Sequence, residues 1–137
     1  MTAYQKLLWC LLVKLQEYDS DFYIPQTITS ENVEEIYEQC LEESGSLLDV
    51  KYEFREGEFE TKLPAPYSRH YETKSVAAKC PDGSYIGWTY WYGGGKHGEP
   101  DAIDWMEEAY DLDCKEEERL VIVREFSFKK GTTNANV

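Results

Sequence analysis

The stretch ETKSVAAKCPDGSYIGWTYWY, residues 72–92, decides the fold. At its centre Pro81 presets the first turn residue, Asp82 suits the next, and Gly83 can adopt the left-handed conformation of a bulged hairpin. Residues 72–80 and 84–92 are therefore expected to pair antiparallel. With Cys80 opposite Ser84, Ala78 faces Ile86, Val76 faces Trp88 and Lys74 faces Tyr90, which collects the apolar residues of both strands on one side. A two-residue Asp-Gly turn would put Lys79 opposite Ile86, a worse match. Ile86, Trp88, Tyr90 and Tyr92 then form the core face, leaving Tyr85, Gly87, Thr89 and Trp91 on the other. On that second face Trp91 is a candidate partner-binding anchor, with a second core layer under a helix as the competing explanation.

Upstream of the hairpin, residues 3–17 place Leu7, Leu8, Leu11, Leu12 and Leu15 at helical spacing, the pattern of a core-facing helix. Thr29 or Ser30 is expected to cap a second helix, in which Val33, Ile36, Tyr37, Cys40 and Leu41 form the buried stripe and after which Gly45 ends the run. Val50, Tyr52 and Phe54 alternate with Lys51, Glu53 and Arg55, the period of a half-buried strand. A turn at Glu56-Gly57 follows, then a possible short strand over residues 58–63 and a loop over 63–69 set by Pro64 and Pro66.

Downstream, residues 93–98 form a glycine loop. Glu99, Pro100 and Asp101 have the composition of a helix start, and the spacing predicts a third helix to about Tyr110, with Ala102, Ile103, Met106, Ala109 and Tyr110 inward and Trp105 at the margin. Leu120-Val121-Ile122-Val123, apolar on both faces, suits an interior strand over residues 119–128. The expected fold class is α+β, a single domain over residues 1–130 in which two N-terminal helices and one later helix pack on an antiparallel sheet. Residues 131–137 are expected to be a disordered tail.

A length of 137 residues fits one domain. The charge is lopsided, with 27 Asp and Glu against 14 Lys and Arg and a formal net charge of −13. That excess argues against direct nucleic-acid binding, which needs clustered cations to neutralise phosphates. Hydrophobic residues at 42% and aromatics at 15% argue equally against a disordered acidic tail. The longest apolar run, Leu7 to Val13, is far shorter than the ~20 residues of a membrane span, and no secretory leader pattern precedes it, so no membrane association and a cytoplasmic location are expected. Cys10, Cys40, Cys80 and Cys114 show no CxxC or zinc-ligand spacing and are expected to be free thiols.

No motif fixes a catalytic activity. The Gly93–Gly98 loop with Lys96 and His97 lacks the spacing and the hydroxyl of a phosphate loop, and Glu99, Asp101 and Asp104 would repel a phosphate from the helix start. His70 and His97 have no spacing that would mark a metal or acid–base site. No cofactor or metal is expected, and a non-enzymatic role is favoured. The strongest functional signal is acidic clustering. Ten acids fall between Glu99 and Glu118 and six between Glu31 and Glu43, while no Lys or Arg lies between Lys14 and Lys51. Most charge runs are solvated faces. The functional alternative is that rigidly spaced carboxylates imitate phosphate rows and occupy the basic groove of a nucleic-acid-binding protein or nuclease, as an inhibitor or antidote of the anti-defence or immunity type would. The candidate partner-binding residues are Glu31, Glu34, Glu35, Glu38, Trp91, Asp104, Glu107, Glu108 and Asp111. A small hydrolase or ligand-binding domain, with a pocket near the Gly93–Gly98 loop rimmed by His70, Trp91, Lys96, His97 and Glu99, is the alternative from a different class.

Overall fold

A computed structural model describes residues 1–94 and 103–131. Helix α1, Ala3–Tyr18, starts with a capping box. The Thr2 hydroxyl accepts from the Gln5 amide at 3.2 Å, and the Gln5 side chain accepts from the Thr2 amide at 2.9 Å. Its five leucines, Leu7, Leu8, Leu11, Leu12 and Leu15, are all buried, so α1 is the spine against which the other helices pack.

Helix α2, Val33–Glu43, begins one turn later than Thr29 or Ser30 would place it. Residues 29–32 close a turn of their own, in which the Asn32 side chain accepts from the Thr29 amide at 2.7 Å, and Asn32 becomes the residue before the helix. Its inner face is Val33, Ile36, Tyr37 and Cys40. Gly45 lies past its end, as the sequence indicates, and also opens helix α3, Ser46–Phe54. The strand expected around Val50–Phe54 is therefore corrected to a helix. Leu47, Val50 and Phe54 are buried at i, i+3 and i+7, whereas Tyr52, which the alternating pattern would bury, is exposed.

The chain reverses at Gly57, whose φ is +75°; a Cβ there would lie 2.5 Å from the Cβ of Val76. Four antiparallel strands follow in the order β1-β2-β3-β4. They are β1 (Phe59–Glu60), β2 (Glu72–Lys79), β3 (Tyr85–Tyr92) and β4 (Tyr110–Leu112). The β2–β3 register is the one derived above, with Ala78 opposite Ile86, Val76 opposite Trp88 and Lys74 opposite Tyr90. Gly83 takes φ +89° and donates to the Cys80 carbonyl at 2.9 Å, while the Cys80 amide donates to Ser84 at 2.7 Å. Val76, Ala78, Ile86 and Trp88 pack with the three helices into one core. The fold class is α+β, with the third helix ahead of the sheet.

Two expectations after residue 93 are corrected. The start of the helix expected over 99–110 lies outside the described residues. Its remainder is a 3-10 turn, Met106–Glu108, leading into β4. Trp105 and Met106 are adjacent and both buried, which suits a tight turn plugged into the core; Trp105 packs on Trp88 with ring centroids 5.5 Å apart. Gly87 completes the reason, since a Cβ there would come within 2.7 Å of Leu112 and 2.8 Å of Tyr110, so a bare backbone lets β4 lie close. The interior strand expected over 119–128 is not formed: among the described residues 113–131 there is no helix or strand, and Leu120 is fully exposed. Residues 132–137 of the expected tail lie outside the described residues.

The other sheet face is covered at Thr73 and Ser75 by the loop after β1. Pro64 and Pro66 have no N–H and offer carbonyls, which accept from Ser75 Oγ at 2.9 Å and Thr73 Oγ1 at 2.6 Å. Among the described residues no helix is long and apolar enough to cross a membrane.

Candidate functional site

Four of the candidate acids, two on α2 and two beside the Met106–Glu108 turn, act electrostatically on Tyr4 of α1, the helix that both elements pack against. This residue is on the first turn of α1, half-buried against the core. Burial first, and then the carboxylates of Glu34, Asp104, Glu107 and Glu38, push its phenol above the ordinary pKa of 10.0. Glu34 and Glu38 are one turn apart on the exposed side of α2, and Asp104 and Glu107 flank the Trp105–Met106 plug. The core burial of Trp105 and Met106 seats Asp104 and Glu107 against α1, the helix on which α2 also packs. The neighbouring Tyr37 is raised to about 12 by burial, with Tyr4 and Glu38 adding to it.

The other candidates are placed less centrally. Glu31, Glu35 and Glu108 are exposed. Glu34 and Glu35 also lie in the first turn of α2, where the helix dipole favours them. Asp111 faces α1 and forms an ion pair with Lys6 at 3.0 Å, so its charge is locally balanced. Trp91 is half-buried, packing edge-on against Tyr71 with centroids 6.5 Å apart. It belongs to a second apolar layer, covered by the loop after β1 and not by a helix.

A second cluster, missed in the sequence, centres on Arg55. Its side chain, only 8% exposed, lies beside β3 past the point where β4 stops. Nη1 donates to the Trp91 carbonyl at 3.1 Å. The guanidinium lies 4.2 Å from the Tyr52 ring centroid and 5.2 Å from that of Tyr90. Its Nε is a buried donor with no hydrogen-bond partner among the described residues, as is Nε1 of Trp91 under the loop after β1. A cavity of about 430 Å³ lined by Leu48, Asp49, Lys51, Tyr52, Arg55 and Trp105 opens here. The signal that could have found this cluster is the i, i+3, i+7 burial of Leu47, Val50 and Phe54, which puts Arg55 at a helix end and not on a strand's solvent face.

Of the alternative pocket, His70 is exposed, and Lys96, His97 and Glu99 lie outside the described residues. Cys10, Cys40 and Cys80 are buried thiols and Cys114 is exposed. Cys10 and Cys80 are neighbours, the hydrogen bond between them raising the first and lowering the second. Among the described residues no group of three or more His, Cys, Asp or Glu is arranged to hold a metal ion. The chain matches no protein-family model, no curated protein and no solved structure.

Proposed function

We propose that the protein is a non-enzymatic, cytoplasmic interaction protein whose acidic face covers the basic surface of a nucleic-acid-binding protein or nuclease. The observation that carries this reading is that exposed acids of two separate elements packed on α1, Glu34 and Glu38 on one and Asp104 and Glu107 on the other, all act on the charge of Tyr4. A solvated coat would gain nothing from bringing like charges together, since they repel and reduce stability. A rigid array of carboxylates with an aromatic ring among them matches a cleft that binds both phosphates and bases. Lys6, the nearby cation of α1, is held by Asp111, and among the described residues none of the four carboxylates forms an ion pair. The test is capture of partners from host lysate on the wild-type protein and on the Glu34→Gln/Glu38→Gln/Asp104→Asn/Glu107→Gln variant. The reading requires a basic partner, displaced by added DNA or RNA and absent from the variant.

A second reading, a ligand-binding domain with its pocket at the root of the Gly93–Gly98 loop, is favoured by one observation. Arg55, which lines the 430 Å³ cavity, has at Nε a buried donor without an acceptor among the described residues, a costly arrangement that a carboxylate or phosphate of a small ligand would relieve. Titration with benzoate and inorganic phosphate, followed by tryptophan fluorescence, separates the two readings. Saturable binding lost in Arg55→Met favours the pocket.

A further inference from the structure

We infer that residues 119–130 form an arm that seats on a second copy of this chain, in the groove on the outer sheet face, so that two copies exchange arms. Leu120, Val121, Ile122, Val123, Phe126 and Phe128 are each at least 75% exposed, whereas the core of the same chain is well buried. Contiguous apolar surface of this kind marks an interaction site. The composition suits an extended segment, with β-branched and aromatic residues and neither proline nor glycine from 119 to 130. In an extended conformation Leu120, Ile122, Phe126 and Phe128 share one side.

The groove has a complementary surface. It is about 520 Å³, on the sheet face away from the helices, and its apolar lining includes Phe59, Leu63, Ala77, Tyr85 and Leu112. Phe59 and Leu63 are about half exposed, at 50% and 47%. Its rim carries Glu60, Asp113 and Glu116, with Lys115 as the one cation among the lining residues. Charge selects the occupant. Residues 119–137 hold four cations, Arg119, Arg124, Lys129 and Lys130, against the single acid Glu125, whereas residues 1–118 hold ten cations and 26 acids. Arg119 already hydrogen-bonds Glu117, which leaves Arg124, Lys129 and Lys130 to meet rim acids. A cationic, apolar arm and an acidic, apolar groove on one chain satisfy each other in a self-complementary pair. The chain leaving β4 forms one wall of the groove and runs on into the arm, so two copies facing groove to groove can each receive the other's arm about a two-fold axis.

Sedimentation equilibrium of the full chain tests the exchange. Wild type should form a dimer, and the arm variant Ile122→Asp/Phe126→Asp should raise its dissociation constant about a hundredfold or more. The groove variant Phe59→Asp/Leu63→Asp should do the same. All four positions are about half exposed or more in the single chain, and circular dichroism matching wild type checks that each variant folds. Arg124→Glu, which keeps the apolar contacts, should weaken the dimer about tenfold. Mixing the arm variant with the groove variant should restore dimers, because one intact arm then meets one intact groove. A wild type that stays monomeric at every concentration, as an arm folded onto its own chain or reserved for a different partner would give, overturns the inference. So does a dimer that survives both double variants, or a mixture that restores nothing.

Discussion

The indole N–H of Trp88, at the centre of β3, donates to the main-chain carbonyl of Arg55 at 2.8 Å. Trp88 is fully buried, with Phe54 and Trp105 each 5.5 Å from its ring. One side chain thus ties the end of α3, the middle of the sheet and the plug that carries Asp104 and Glu107. Trp88→Phe keeps a ring but orphans the Arg55 carbonyl and leaves a void, so it should lower unfolding free energy by about 2–4 kcal/mol. Urea unfolding measures it, and a loss below about 1 kcal/mol would show that the bond contributes little.

Two glycines with positive φ should respond differently to alanine. Gly83, at +89°, has open space around it, so Gly83→Ala should cost about 1 kcal/mol from backbone strain alone. Gly57, at +75°, has Val76 within 2.5 Å of the added Cβ, so Gly57→Ala should cost about 2–4 kcal/mol. Equal losses in denaturant melts would contradict the close approach of the Gly57 turn to β2.

The hairpin turn should carry an acid-sensitive contribution to stability. Asp82 accepts from the Ser84 hydroxyl at 2.6 Å and the Ser84 amide at 3.0 Å, and these bonds hold its carboxyl below the ordinary 3.8. Because the folded value is the lower one, the contribution is present above pH 3.8 and is lost as pH falls through the folded value. Melting temperatures from pH 5 downward should fall more steeply for wild type than for Asp82→Ala, and parallel curves would count against it.

At the alkaline end the Lys6–Asp111 pair works in the opposite sense. Its hydrogen bond to Asp111 raises Lys6 above the ordinary 10.5, outweighing partial burial. The contribution is therefore present below pH 10.5 and is lost as pH rises through the folded value. With Asp111 63% exposed, solvent screening limits it to about 1 kcal/mol or less. Lys6→Met should remove this alkaline dependence, as followed by difference melts against wild type.

The hairpin is legible because its turn chemistry places the reversal and its period-two pattern chooses the Val76–Trp88 register over the one a two-residue turn would set. Residues 50–55 read as a strand because Val50 and Phe54 fit both periods; only Leu47, ahead of that segment, completes the helical stripe. Tyr110 closes the helix expected over 99–110 but opens β4, because its partner is Gly87, a relation across 23 residues of chain with no local trace. The acidic clusters were visible as composition. Their common action on Tyr4 was not, since it depends on where Trp105 enters the core. Residues 119–128 carry a strand's composition, but among the described residues no strand lies beside them.

Tyr4 itself reports whether the acids converge. Its resonance in a protein labelled with carbon-13 tyrosine should titrate above pH 10.0, and the Glu34, Glu38, Asp104 and Glu107 amide variant should titrate lower yet still above 10.0, because burial is the larger cause. An unchanged titration would mean that these carboxylates lie apart.

The central claim is that the acidic face docks on a basic cleft, and the rate of association with the captured partner, followed over a range of salt concentrations, tests it most directly. Steered association should slow as salt rises, because a Debye length of about 8 Å at physiological ionic strength screens exposed charge. The quadruple amide variant should associate at least about tenfold more slowly at low salt and lose most of the salt dependence. A variant that binds as fast and as tightly as wild type at low salt would contradict the claim and reduce the acids to a solvated coat.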